Sequence, residues 1–422
     1  MPRTYGLIDG NSFYCSCERA FSPRLRGRAV VVLSNNDGCA IARTAEAKAA
    51  GVEMGDPWHL AKDRPLIRAA EVEWLSSNYP LYGDMSRRMY QVLADRVPRV
   101  EPYSIDEMFL DLDVPGDLVL LARELREAVR LIAKIPTCVG IGPTKTIAKL
   151  ANRLAKDDAG MEGVCDLRDD RARQRFYEAT SIGSVWGIGG KTTEKLEARG
   201  VDTIARFLAM PQRDARDLLT VVGARVQMEL RGVSCLPLSL MAPTRKGIAV
   251  TRSFGKPVTA WPAMREAVAW YATRAGEKLR GEGLVAARMG VFLHTNPHGG
   301  EPWYSAQRGG RIEPTADTGA LIGEALRMVQ PLWREGFRYM KAGVMLDDLR
   351  DAATEPASLF PTRDPKKSVR LMAALDAVNG RYGRGVLRPL ATGITRPWST
   401  RQARLSPRYT THAAEMMEAR AL

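Results

Sequence analysis

The sequence predicts an α+β protein of several domains, with a mixed sheet carrying helices on one face. Three observations lead there. At 422 residues the chain is too long for one ordinary core, so two to four domains are expected. Strand-like and helix-like segments alternate up to about residue 165 without the strict spacing of a doubly wound sheet. Residues 245–348 then read as a separate module of β-α-β-α-β order.

The elements follow in chain order. Tyr5-Gly6-Leu7-Ile8 is an apolar strand, followed by a helix and then the buried-strand run Ala29 to Leu33. Asn35-Asn36-Asp37-Gly38 signals a turn, and Ile41 to Ala50 a helix closed by Gly51. Residues 81–97 continue as helix. Val100 to Leu112 folds as strand, tight turn and returning strand around Asp106. Leu118 to Ile132 is strongly amphipathic, Thr137 to Gly142 is a strand, and Thr144 to Ala155 the next helix. From about 165 to 240 short helices alternate with glycines. The second module runs Ile248 to Phe254 (strand), Ala263 to Arg280 (helix), Ala286 to His294 (strand), a Gly-rich excursion, Asp317 to Arg334 (helix) and Tyr339 to Leu346 (strand). Residues 350–422 hold many Pro, Gly and Arg, and read as a tail partly ordered only on partners.

Composition narrows the function. Hydrophobic residues make up 45% and charged residues 26%, the balance of a globular protein, and no stretch reaches the length of a membrane span. The N-terminus runs directly into a strand, so no signal peptide is expected. Six scattered cysteines without a CxxC pair, and four histidines, argue against zinc and for a reducing, cytoplasmic setting. Net charge is +14, and it is unevenly spread. Residues 1–244 carry a net of +2 and residues 245–422 a net of +12. A balanced, carboxylate-bearing half beside a basic half suits an enzyme core joined to a module that grips a phosphate backbone.

The chemistry centres on Ser104-Ile105-Asp106-Glu107. Two adjacent carboxylates at a strand turn are exposed at a sheet rim, where they can hold metal. Asp9 closes a strand that antiparallel pairing could bring beside them. An Asp at a strand end is commonly a turn or cap residue; the three acids together are what two-metal phosphoryl transfer requires. Asp111 and Asp113 serve as controls, read as solvated or capping. Phe13 reads as core, whereas Tyr14, one helical turn beyond Asp9, could pack flat on a nucleotide sugar and exclude a 2′-hydroxyl. Arg43, Lys48, Lys145, Lys149 and Lys156 are candidate triphosphate contacts, although a solvated helix face is the plain reading for most of them. Gly140 to Thr146 lacks the Walker spacing. Val185-Trp186-Gly187-Ile188-Gly189-Gly190-Lys191 sets a tight glycine turn between short helices, a helix-hairpin-helix pattern able to hold a DNA phosphate on backbone N–H groups.

These motifs, in this order, resemble the Y-family translesion DNA polymerases, in particular the UmuC-type catalytic subunit of bacterial DNA polymerase V and its plasmid-borne relatives. The resemblance rests on Asp9-x-Asn11-Ser12-Phe13-Tyr14, Leu33-Ser34-Asn35-Asn36-Asp37-Gly38-Cys39, Ser76-Ser77-Asn78-Tyr79, Tyr103 to Glu107, Lys145-Thr146-x-Ala148-Lys149, Arg252-Ser253-Phe254-Gly255 and Leu405 to Thr411. It implies a right-hand polymerase. The palm is a mixed sheet at about 1–21 and 81–165, with small fingers at 22–80. A helical thumb with its helix-hairpin-helix spans 166–243, an α+β little finger 245–348, and a partner-binding tail 350–422. It implies two Mg2+ ions held by Asp9, Asp106, Glu107 and the Gly10 carbonyl, with Tyr14 as steric gate. Phe13, Arg43, Lys48 and Lys156 are the implied nucleotide contacts, and Gly187, Gly189, Lys191 and Arg252 the DNA contacts. Lys48 and Ala45 stand where many relatives carry Arg and Tyr. The implied partners are primer-template DNA, dNTPs, a cleaved UmuD-type dimer, a RecA-type recombinase filament and the sliding clamp, in a cytoplasmic, nucleoid-associated setting without a membrane. The clamp motif is reduced to Leu359 and Phe360, lacking its Gln. A silent Y-family adaptor would have lost the acids. A two-metal nuclease or cyclase would need neither a gate nor a basic module.

Overall fold

The computed structural model describes residues 3–239, 245–298, 300, 302–356 and 363–416. The chain divides into two units. One comprises Met1–Ser34, Gly38–Ala242 and Arg404–Leu422, the other Asn35–Asp37 and Pro243–Ala403.

In the first unit, β1 (Tyr5–Gly10) leads into α1 (Phe13–Phe21). A three-stranded sheet follows, of order β3-β2-β4, from β2 (Val30–Leu33), β3 (Ala40–Arg43) and β4 (Glu73–Ser76). The helix expected over Ile41 to Ala50 is confined to α2 (Ala45–Ala49). Val31 and Val32 pair with Arg43 and Ala42, so these residues join the sheet, and the Thr44 side chain caps α2 by accepting from the Ala47 N–H. Short helices α3 (Trp58–Ala61) and α4 (Pro65–Ala69) complete this part.

Helix α5 (Tyr79–Ala94), β5 (Val100–Pro102), β6 (Glu107–Asp111), α6 (Leu118–Ile132), β7 (Thr137–Gly142), α7 (Lys145–Asp157) and β8 (Val164–Asp166) follow. The central sheet has the order β5-β6-β1-β7-β8, antiparallel except for β7 and β8. Helices cover both of its faces, not one. Ile8, Met108, Leu110 and Val139 pack with Met85 of α5 and Leu125 of α6, while Leu7 and Phe109 pack with Ala148 of α7. The sequence carried the sign of this: β1 and β7 are buried at every position, so neither shows polar alternation. Helix α7 lies against β7 at Gly140, where an added Cβ would come within 2.1 Å of the Asn152 backbone N. The Asn152 side chain staples the helix down by donating to the Leu7 and Cys138 carbonyls.

A helical group closes the unit: α8 (Asp170–Ala179), α9 (Gly190–Glu197), α10 (Ile204–Ala209) and α11 (Gln212–Leu230), packed around Ile182, Leu196, Ile204 and Phe207.

The second unit contains β9 (Gly247–Val258), α12 (Trp261–Gly281), β10 (Leu284–Thr295), β11 (Ser305–Thr315), α13 (Thr318–Val329) and β12 (Tyr339–Asp351). Its four strands are antiparallel in the order β11-β10-β12-β9. The Gly-rich excursion conceals β11. Gly309 and Gly310 interrupt its side-chain pattern, yet their backbones pair with Gly290 and Met289. The tail expected to await partners is largely placed. Helix α14 (Pro365–Tyr382) starts at the Asp364 cap, buries Met372 and Leu375, and receives a bidentate contact from Arg280 to Asp376 at 2.6 and 2.7 Å. Trp398 is buried against Phe254 and Tyr271. With few regularly spaced apolar residues, this segment depends on single anchors that periodicity does not reveal.

Candidate active site

The strand pairing builds the site. Asp9, the penultimate residue of β1, lies in register with Glu107, the first residue of β6. The Gly10 N–H donates to the Asp106 carbonyl at 2.9 Å and fixes the turn beside them. The Ser104 hydroxyl orients the turn, donating to Asp106 Oδ1 at 2.6 Å and accepting from the Glu107 N–H at 3.0 Å. Alternation sends Asp9 and Glu107 to the α7 face. There Lys156 Nζ lies 2.5 Å from Asp9 and Lys149 Nζ 2.7 Å from Glu107.

Lys145 and Lys149 are not a solvated helix face, whereas Lys156 stays exposed apart from its contact with Asp9. Lys149 also sits over the rings of Tyr103 and Trp186, and the Trp186 indole donates to the Tyr103 hydroxyl. Lys145 is buried, paired with Glu101 and placed over the Phe109 ring. Asp111 departs from its reading as well: it is 5% exposed and bound to Arg99 at 2.6 Å. Asp113 accepts from the Thr4 N–H.

Asp9 is 8% exposed. Burial pushes its carboxyl up to about 7; Lys156 opposes the shift, and the Glu107 and Asp106 charges add to it. A buried acid repelled by two others is a place where added positive charge lowers the energy. Among the described residues no three acid, histidine or cysteine side chains already converge as a metal cage, because lysines hold Asp9 and Glu107. The donors are all oxygen, which suits a hard divalent cation, so the residues fit one.

After β1 the chain turns sharply. Ser12 adopts the left-handed conformation (φ 47°) at the start of α1, and its hydroxyl donates to the Arg43 carbonyl at 2.7 Å. That turn aims Tyr14 at an open cavity of about 300 Å³, which Asp9, Gly10, Phe13, Arg43, Lys48, Asp106 and Lys156 also line. The sequence therefore grouped the acids, the aromatic pair and three cations that the fold brings together. Two of these are partly committed: Arg43 donates to the Val52 carbonyl at 2.9 Å, and Lys156 pairs with Asp9. Glu107 points to Lys149 and does not line the cavity.

The predicted backbone-binding residues are more scattered. Gly187 has φ 91°, which favours glycine, and Gly189 precedes α9 with open space around it. Lys191 is exposed on the first turn of α9. Arg252 shares the strand parity of the buried Ile248, Val250 and Phe254, so it lies on the helix-covered side of the sheet, among the charges of Arg274 and Lys278. Sequence reasoning missed the opposite face. Arg288, Phe292 and His294 alternate with buried Met289, Val291 and Leu293; Arg288 is in register with Arg311, and His294 with Lys341. Gly290, Gly309 and Gly343 lie between these positions. Period-two alternation in β10 was the available signal. Leu359 and Phe360 lie outside the described residues.

Family models match three stretches. The impB/mucB/samB family model covers residues 8–153, its C-terminal domain model residues 245–359, and a domain of unknown function (DUF4113) residues 369–419. Protein UmuC of Salmonella typhimurium is 41% identical over 98% of this chain and 99% of its own length. Protein ImpB of Salmonella typhimurium is 40% identical over 96% and 97%. DNA polymerase IV 1 of Bacillus subtilis is 25% identical over 91% and 92%. A solved Y-family DNA polymerase chimera superposes with a TM-score of 0.65 at 19% identity, over 82% of this chain and 98% of that one, a likeness of fold.

Proposed function

The chain belongs to the impB/mucB/samB family, and we infer that it is a DNA-directed DNA polymerase of error-prone translesion synthesis in SOS-type mutagenesis. It extends a primer 3′-hydroxyl with dNTPs along a template. The observation that carries the residue assignment is the register of Asp9 against Glu107, with Asp9 and Asp106 at a cavity that Tyr14, Arg43, Lys48 and Lys156 also line.

Asp9, Asp106, Glu107 and the Gly10 carbonyl would hold two Mg2+ ions. Bound there, such ions supply activation of the 3′-hydroxyl and charge neutralisation at the leaving pyrophosphate. The chain's own groups do the rest. Lys156 works against the upward shift of Asp9 and favours its carboxylate. Arg43, Lys48 and Lys156 present positive charge to the triphosphate, Phe13 supports the nucleotide, and Tyr14 excludes a 2′-hydroxyl. In this reading residues 1–21 and 81–165 act as palm, 22–80 as fingers, 166–243 as thumb and 245–348 as little finger. The Gly187–Gly189 turn with Lys191 would hold DNA phosphates, as would Arg252 and the Arg288, Arg311 and Lys341 face. The tail 350–422 would meet a cleaved UmuD-type dimer, a recombinase filament and, through Leu359 and Phe360, the sliding clamp. The protein would work in the cytoplasm at the nucleoid; among the described residues no helix is long and apolar enough to cross a membrane.

The test is primer extension on undamaged and abasic templates with magnesium and four dNTPs, with and without a UmuD-type partner and activated recombinase. Template-directed lengthening that stops on chelation supports the reading. Shortening of DNA, or no product under any condition, refutes it.

A further inference from the structure

The C-terminal stretch matched by the domain of unknown function returns to the first unit at Arg404 to Tyr409. Leu405 bridges to Ser76 at the end of β4, and the Ser76 N–H donates to the Arg404 carbonyl at 3.0 Å. Asn78 captures the next residues. Its Nδ2 donates to Ser406 Oγ at 2.9 Å and to the Ser406 and Pro407 carbonyls at 3.2 Å, while its Oδ1 caps α5 by accepting from the Leu81 N–H. Tyr409 then stacks on Phe21 of α1 at 5.0 Å and 7°. Two motifs distant in sequence, Ser76-Ser77-Asn78 and Leu405-Ser406-Pro407, are thus one structural joint.

That joint reaches the nucleotide cavity through a short chain of contacts. Ser406 Oγ donates to Glu18 Oε1 at 3.0 Å, and the Tyr82 hydroxyl donates to the same oxygen at 2.8 Å. Glu18 and Tyr82 are both buried. The Tyr82 ring stacks on Tyr14 at 4.5 Å and 18°. Tyr14 and Glu18 are four residues apart on α1 and therefore share a face. Tyr82 spans that face, with its ring on one residue and its hydroxyl on the other.

We propose that Glu18, Tyr82 and Ser406 are positioning residues that set the placement of Tyr14, so that the C-terminal segment 404–409 governs how strictly this polymerase rejects ribonucleotides. The inference rests on the reading of Tyr14 as steric gate. A gate discriminates only if its ring resists displacement by a 2′-hydroxyl. Helix α1 fixes the Tyr14 backbone; the Tyr82 ring, pinned by its hydroxyl, backs the side chain. Ser406, held by Asn78, orients the carboxylate that pins Tyr82.

The experiment measures kcat/KM for a dNTP and its matching rNTP on primed DNA, with the full chain and each variant. Tyr82→Phe and Ser406→Ala should each lower the dNTP/rNTP ratio by about three- to tenfold, the scale of one lost hydrogen bond. Their dNTP kcat/KM should stay within about twofold of the parent, since neither residue lines the cavity. Ser406→Thr, which keeps the hydroxyl, should restore the ratio, and the Tyr82→Phe/Ser406→Ala pair should be less than additive. Tyr14→Ala separates the two ideas. If it collapses the ratio while Tyr82→Phe and Ser406→Ala leave it unchanged, the positioning inference is wrong and the gate stands. If Tyr14→Ala itself leaves the ratio unchanged, the gate reading falls and this inference with it.

Discussion

Gly140→Ala tests the joint between β7 and α7 on which the site depends. A Cβ at position 140 would lie 2.1 Å from Asn152 N, 2.2 Å from the Ala148 carbonyl and 2.7 Å from the Ala151 carbonyl carbon. Ordinary contact begins at 3.4 Å, so helix and strand must part by more than about 1 Å. All three neighbours are backbone atoms, and no side chain can rotate away. Parting stretches the two Asn152 bonds, 3.1 Å to the Leu7 carbonyl and 2.7 Å to the Cys138 carbonyl. Overpacking costs about 1–3 kcal/mol and each bond about 1 kcal/mol, so a loss of roughly 3–5 kcal/mol is expected. The same movement would carry Lys149 and Lys156 away from Glu107 and Asp9, so extension should fall with stability. The assay is urea denaturation beside primer extension. The control is Gly189→Ala, where nothing lies within 4 Å of the added Cβ and stability should barely change. A Gly140→Ala protein with an unchanged midpoint would refute the close approach of α7 to β7.

Other outcomes follow from the same structure. Replacing Arg288 and Arg311 together with Ala should weaken binding of all DNA sequences alike and reduce the log–log salt slope by about two; an unchanged slope would remove that sheet face from the backbone contacts. Burial raises the Glu18 carboxyl, and hydrogen bonds from Tyr82 and Ser406 hold it back. The folded state therefore binds that proton more tightly than the unfolded chain, and its contribution to stability declines as pH rises from 4.5 through the folded value. Glu18→Gln should flatten this slope, as seen by unfolding at a series of pH values; an equally steep slope would exclude Glu18 as its source. Lys149→Met leaves Glu107 without its ammonium and should slow extension by on the order of a hundredfold, while DNA binding measured by anisotropy persists; normal extension would reduce Lys149 to a structural role.

Much of the site was legible because its chemistry is local. Asp106 and Glu107 are adjacent, Asp9 closes an apolar strand, and Tyr14 follows within one helical turn, so antiparallel pairing was enough to bring them together. Helices α6 and α7 matched their periodic patterns, with Asp117 and Thr144 as caps. What sequence could not give was long-range. Helix α7 covers the second face of the sheet because Gly140 and Gly142 admit it, and a glycine in a strand does not announce what approaches it. The lysines of α7 look like a charged surface until the acids they meet are placed. Glycines hide strand β11, and the Arg252-Ser253-Phe254-Gly255 motif does not say which face of β9 Arg252 occupies. The union of Ser76 to Asn78 with Leu405 to Pro407 spans most of the chain, and local pattern does not encode it.

The most direct test of the central claim is single-turnover primer extension by Asp106→Ala, with DNA affinity measured on the same preparation. Asp106 lines the cavity and its carboxylate accepts from the Ser104 hydroxyl within the same turn, so its removal should leave the fold and the DNA contacts in place. The account predicts extension reduced by at least about a thousandfold with affinity nearly unchanged. Parental extension by Asp106→Ala would contradict it and place the polymerase centre elsewhere in the chain.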